Sequence, residues 1–140
     1  MTESGNDVFT VKVDKEPCIA KAQIVSRLLA KSIGLSDVGS CCVATSVSEL
    51  ANNLVFHTQK GGTLTMIAIK QNGRAGIEII AEDEGPGIPD LKHAMQDGFS
   101  TNHGLGGGLP GVKRLMDEFY ITSEVGTGTR IVTRKWQQCR

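Results

Sequence analysis

Asn72 and Gly73 stand between two runs that each alternate apolar with polar residues. Leu64, Met66 and Ala68 lead in, and Ile77, Ile79 and Ala81 lead out. Asn-Gly is a strong two-residue hairpin signal, because a type I′ turn needs positive φ at both central positions. An antiparallel hairpin is therefore expected in the middle of the chain. Glu78, Ile80 and Glu82 fall on the opposite face of its return strand, so one face is apolar and the other mixed.

The rest of the chain must pack on that hairpin. Phe9, Val11 and Val13 alternate in a first strand near 8–14. Pro17 opens a helix in which Ile19, Ala22, Ile24, Leu28 and Leu29 recur at helical spacing to about Ile33, where Gly34 stops it. Ser36 caps a second helix over about 37–59, with an apolar stripe of Val43, Val47, Leu50 and Leu54, closed by Gly61-Gly62. After the hairpin come a Gly/Pro-rich loop, a short helix near 90–97, a glycine run, a helix near 109–118, and strands near 119–125 and 129–136 joined by Gly126-Thr127-Gly128. The order β-α-α-β-β-α-α-β-β predicts an α/β fold: a two-layer α/β sandwich whose mixed β-sheet is covered on one face by helices.

A chain of 140 residues is one domain, read here as 8–136 between a polar, flexible N-terminus (1–7) and a short tail (137–140). Fifteen basic and 15 acidic side chains give zero net charge, which excludes a broadly basic nucleic-acid coat. No apolar run approaches the roughly 20 residues of a membrane span, and Met1–Asp7 has no signal-peptide stretch, so a cytoplasmic protein with no membrane or nucleic-acid partner is expected. Cys18, Cys41, Cys42 and Cys139 show no C-x-x-C spacing and read as buried or half-buried thiols.

Four constellations could carry chemistry. Glu49 and Asn53 lie four apart on the second helix, each one position before a stripe residue, at the margin of the buried face. A carboxamide oxygen is a hard neutral ligand for hydrated Mg²⁺, and a carboxylate beside it could ligate or take a proton. His57 continues the row. The same spacing also fits a solvated helix face with ordinary i, i+4 pairs.

Asp83 shares strand parity with Ile77, Ile79 and Ala81, so it ends an apolar row beside Gly85 and Gly87. A ligand amine such as that of adenine could satisfy it, and the glycines would let backbone approach a flat ring. An Asp capping its own turn, or a solvated or Ca²⁺-binding acidic loop without EF-hand spacing, fits the segment too. The run Gly104-Leu105-Gly106-Gly107-Gly108-Leu109 opens a helix, and such amides can cradle phosphate. It follows neither the P-loop nor the Rossmann pattern, and a plain surface loop is its other reading. Thr129, after the Gly126-Thr127-Gly128 turn, could place its hydroxyl on the sheet face that holds Asp83.

In this order and spacing the four motifs resemble the GHKL ATPase/kinase superfamily, which has the Bergerat nucleotide fold. Ser48-Glu49-Leu50-Ala51-Asn52-Asn53 resembles its N box, Asp83-Glu84-Gly85-Pro86-Gly87-Ile88 its first glycine box, Gly104–Leu109 its second, and Gly128-Thr129 its last motif. The stretch from Gly98 to Phe119 is most similar to the small anti-sigma-type serine/threonine kinases, in particular the stressosome type. The resemblance covers about residues 8–136.

It implies an ATP- and Mg²⁺-dependent kinase that phosphorylates Ser or Thr on STAS-domain proteins and, when released, activates a PPM-type phosphatase. It implies Glu49 as catalytic base, Asn53 as Mg²⁺ ligand and Asp83 as partner of the adenine amine. Gly85 and Gly87 would form the pocket wall, Gly104, Leu105, Gly106, Gly107, Gly108 and Leu109 the phosphate loop, and Thr129 the adenine side. One departure is Asn102-His103, where sigma-binding relatives carry an Arg before the lid glycines. That favours the stressosome type and leaves Lys113, Arg114 or backbone amides to meet the γ-phosphate. An anti-sigma factor kinase and an ATP-gated docking module with little catalysis are the alternatives. A complete histidine kinase is not expected, because no phosphoacceptor helical hairpin precedes residue 8.

Overall fold

The computed structural model describes residues 7–56, 61–84 and 108–138. The first strand, β1 (Val8–Val13), is followed by two helices, α1 (Glu16–Ser32) and α2 (Asp37–Phe56). The central hairpin is β2 (Gly62–Gln71) and β3 (Arg74–Asp83). A third described helix, α3 (Gly108–Leu115), precedes a second hairpin, β4 (Glu118–Glu124) and β5 (Gly128–Trp136). The helix expected near 90–97 and the end of α2 beyond Phe56 lie outside the described residues.

The turns form as their residues dictate. Asn72 and Gly73 take φ of 53° and 78°, both positive as a type I′ turn requires. Gly34 ends α1 at φ 100°, and the Leu35 N–H donates back to the Ala30 carbonyl at 3.0 Å while Leu35 itself enters the core. The Ser36 hydroxyl accepts the Gly39 N–H at 3.0 Å and caps α2.

The five strands form one sheet in the order β1-β2-β3-β5-β4. Every neighbouring pair is antiparallel, which corrects the expected mixed sheet within an α/β architecture that otherwise holds. The reason lies in the crossover through α3. It places β4 one position beyond the neighbouring slot, and β5 returns by a hairpin into the gap, so no parallel neighbours remain.

The helices share one face of the sheet. Val43, Val47, Leu50 and Leu54 of α2 are buried against Leu64, Met66, Ile77, Ile79 and Ala81, with Leu109, Val112 and Met116 joining from α3. The stripe expected on α1 is corrected: Ile24 is 59% and Leu28 64% exposed. The core-facing side is instead Ala22, Ser26, Leu29 and Ala30, with Ile19, Val25 and Ile33 half-buried. Short side chains there let α1 lie close against α2. Cys18 and Cys42 are half-buried as expected, whereas Cys41 is exposed.

On the other face, one cross-strand row is charged. The Arg134 guanidinium donates to Glu78 at 2.6 Å and to Glu118 at 2.8 Å, and the Trp136 indole N–H donates to Glu118 at 2.6 Å. These bonds hold the Glu118 carboxyl below the usual glutamate range, the Trp136 contribution being the largest, and raise the Arg134 guanidinium.

Candidate functional site

Strand register gathers the sequence candidates at one end of the helix-covered face. Val13, Gly62, Asp83, Thr129 and Ser123 are aligned across all five strands. The next row inward is Val11, Leu64, Ala81, Ile131 and Ile121, which belongs to the hydrophobic core. Asp83 and Thr129 are therefore direct cross-strand partners on one face, as strand parity predicts, and the row changes from apolar to polar along the sheet. Both side chains are half-buried, so they are accessible yet sheltered.

Three glycines let this end pack closely. A Cβ on Gly128, at φ 134°, would lie 2.1 Å from the Asp83 carbonyl oxygen. A Cβ on Gly62 would lie 2.1 Å from the Glu82 carbonyl oxygen and 2.7 Å from a Leu54 methyl. Gly61, at φ 68°, is pressed on Val13 and Asp14. These contacts bring backbone close to backbone around Asp83 and dock the last turns of α2 on the same end of the sheet.

Glu49 and Asn53 lie one helical turn apart on α2, next to Leu50 and Leu54. Glu49 is only 3% exposed, and Asn53 is half-buried. A solvated helix face is thereby excluded for Glu49. Neighbouring Asn52 is engaged locally, its amide donating to the Ser48 carbonyl at 2.7 Å. Among the described residues no three His, Cys, Asp or Glu side chains group around a metal position.

Gly108 and Leu109 form the buried N-terminus of α3, with Gly108 at φ 67°. Lys113 and Arg114 are exposed in its last turn, at the end away from Gly108. Gly85, Gly87, Gly104, Leu105, Gly106, Gly107 and His57 lie outside the described residues. One neighbour escaped the sequence reading. Ser123 Oγ lies 2.8 Å from Thr129 Oγ1 and donates to the Gly128 carbonyl at 3.3 Å. The sequence reading of a Gly126-Thr127-Gly128 turn would set 129 opposite 125; the structure centres the hairpin on Gly126 and pairs Thr129 with Ser123.

Known proteins share this sequence and fold. Residues 43–138 match the family described as histidine kinase-, DNA gyrase B-, and HSP90-like ATPase. The chain is 46% identical over 131 residues to the serine/threonine-protein kinase RsbT of Bacillus subtilis, covering 94% of this chain and 98% of that one. It is 33% identical over 98 residues to an anti-sigma F factor of Clostridium acetobutylicum, covering 66% of this chain and 67% of that one. Among solved structures, the RsbU and RsbW domains of a Mycobacterium tuberculosis protein share the fold at TM-score 0.61 and 17% identity; the match covers 98% of this chain and 34% of that one. The catalytic domain of histidine kinase ThkA does so at TM-score 0.52 and 11% identity, covering 94% and 98%. The chain thus belongs to the histidine kinase-, DNA gyrase B-, and HSP90-like ATPase family, the GHKL superfamily that its motifs resemble.

Proposed function

We propose that this chain is an ATP- and Mg²⁺-dependent serine/threonine protein kinase that phosphorylates STAS-domain proteins and works as a cytoplasmic partner switch in bacterial stress signalling, with a PPM-type phosphatase as the partner of the released kinase. Near full-length similarity to the kinase RsbT supports the reaction. The observation that favours catalysis over docking alone is the burial of Glu49 in line with Asn53. Sigma-factor binding is the second reading, supported by the weaker and shorter similarity to an anti-sigma F factor.

In this reading Asp83 accepts the adenine amine, and Thr129 contacts the same side of the base. The backbone N–H groups of Gly108 and Leu109, with those of the preceding glycines, receive phosphate oxygens at the start of α3. The Asn53 amide oxygen would hold Mg²⁺, which would supply charge neutralisation on the phosphates. Glu49 orients the acceptor hydroxyl and takes its proton as the new O–P bond forms and the bond to the ADP oxygen breaks. No described helix is long and apolar enough to cross a membrane.

Incubation with γ-labelled ATP, Mg²⁺ and purified STAS-domain proteins tests the proposal. Acid-stable label on a Ser or Thr is the expected result. Acid-labile label on His, or no transfer despite tight ATP binding, overturns it.

A further inference from the structure

We propose that the outer face of α1 is a docking surface for an acidic amphipathic helix of a partner protein. Ile24 and Leu28 lie one turn apart on that face and are 59% and 64% exposed. Such an i, i+4 pair forms a ridge of the kind that seats in the groove of another helix. Lys21, Arg27 and Lys31 flank it, all exposed. Glu16, in the first turn, is the only acidic side chain on α1. The chain as a whole carries no net charge, so this face holds a local excess of positive charge around an apolar centre. Its apolar residues are not needed for the core, because α1 already packs through Ala22, Ser26, Leu29 and Ala30 on its other side.

A carboxylate is favoured beside this face. Lys31 donates to Asp37 at the start of α2, and with a weaker contribution from the charge of Arg27 it holds the Asp37 carboxyl below the usual aspartate range. Lys21 and Arg27 have no ion-pair partner among the described residues. A partner helix with apolar residues one turn apart and acids beside them meets both features. A second copy of this chain does not, because a two-fold contact sets the same cations against each other. A lipid surface is a poorer fit too, since a membrane-lying helix gives its broad apolar side to the bilayer, and that side of α1 is taken by α2 and the sheet. The surface also stands apart from the nucleotide end. α1 begins just after Val13, which is in the row of Asp83. At 1.5 Å per residue, Ile24 and Leu28 lie about 12 and 18 Å further along the helix than Glu16.

A synthetic helix of about 18 residues, with leucines at helical spacing and glutamates flanking them, is the probe. It is titrated into the full chain and followed by amide NMR and by the anisotropy of a labelled copy. Shifts on the outer face of α1 are expected, with binding that weakens as salt rises. Leu28→Ser and Arg27→Glu should each weaken binding by about tenfold or more, while melting temperature and ATP binding stay near those of wild type. A peptide with lysines in place of the glutamates should not bind. Absence of α1 shifts, equal binding of the lysine peptide, or variants that bind as wild type does, overturn the proposal. So do α1 shifts that appear only with anionic phosphatidylglycerol vesicles, or only as the protein itself is concentrated.

Discussion

Gly128 packs so closely on Asp83 that the two backbones leave no space for a side chain: a Cβ at 128 would stand 2.1 Å from the Asp83 carbonyl oxygen and 2.9 Å from the Glu84 Cα. The first residue of β5 thereby fixes where the last residue of β3 sits, and Thr129 is delivered opposite Asp83. A turn that looks like simple hairpin punctuation in the sequence is also a wall of the candidate site.

Gly128→Ala should therefore damage both stability and the site. The positive φ of 134° and the backbone clash together should cost about 2–3 kcal/mol, and nucleotide affinity should fall because Asp83 must shift. Gly73→Ala is the control. It has positive φ but nothing within 4 Å of an added Cβ, so it should cost about 1 kcal/mol and leave binding unchanged. Urea denaturation beside ATP titration separates the two.

Asp83→Asn should weaken ATP binding while the melting temperature stays near that of wild type. One charge-assisted hydrogen bond is worth about 1.5–3 kcal/mol, or roughly 10- to 150-fold in affinity. Unchanged affinity by calorimetry would remove Asp83 from the base-binding side.

Glu49→Gln should separate chemistry from binding. General-base catalysis typically contributes about 10²–10⁴-fold in rate, so single-turnover phosphoryl transfer should fall by that order. ATP and partner affinities should stay near normal. Loss of ATP binding together with rate would recast Glu49 as a metal ligand, and a rate within a few-fold of wild type would end its catalytic assignment.

Two leucines on neighbouring helices should behave oppositely. Leu50 is fully buried, and Leu50→Ala should cost about 2–5 kcal/mol. Leu28 is 64% exposed, and Leu28→Ala should stay within about 0.5 kcal/mol. Chemical denaturation midpoints read both.

The charged row on the open face predicts an acid limit to stability. The Trp136 indole and the Arg134 guanidinium hold Glu118 below its ordinary value of 4.5. A carboxyl depressed in the folded state contributes stability above its unfolded value and loses it as pH falls through the lower folded value. Stability from this group should thus be flat from neutrality to about pH 4.5 and fall below that. Glu118→Gln should be less stable at neutral pH, by on the order of 1 kcal/mol for a partly exposed group, and should lose that part of the acid slope. Denaturation midpoints for both proteins at neutral and acid pH would show it.

Local signals in the chain determined the elements. Asn72-Gly73, Pro17, Gly34 and Ser36 act through backbone φ and nearby hydrogen bonds, which need no distant partner, and the structure places each in that role. Strand parity likewise put Asp83 on the face of Ile77, Ile79 and Ala81, because alternation is a property of the strand alone. The tertiary structure decided the rest. Helical spacing marks Ile24 and Leu28 as apolar neighbours, but which side of α1 meets the core depends on where α2 lies. The sheet is wholly antiparallel because the chain skips a slot and fills it later, a choice made by packing between segments far apart in sequence. Glu49 and Asn53 read equally well as a wet helix face until α2 is packed on the sheet beside the other helices, where Glu49 is buried. Ser123 meets Thr129 only through the pairing of β4 with β5, since a hydrogen bond between those hydroxyls depends on the register that the fold provides.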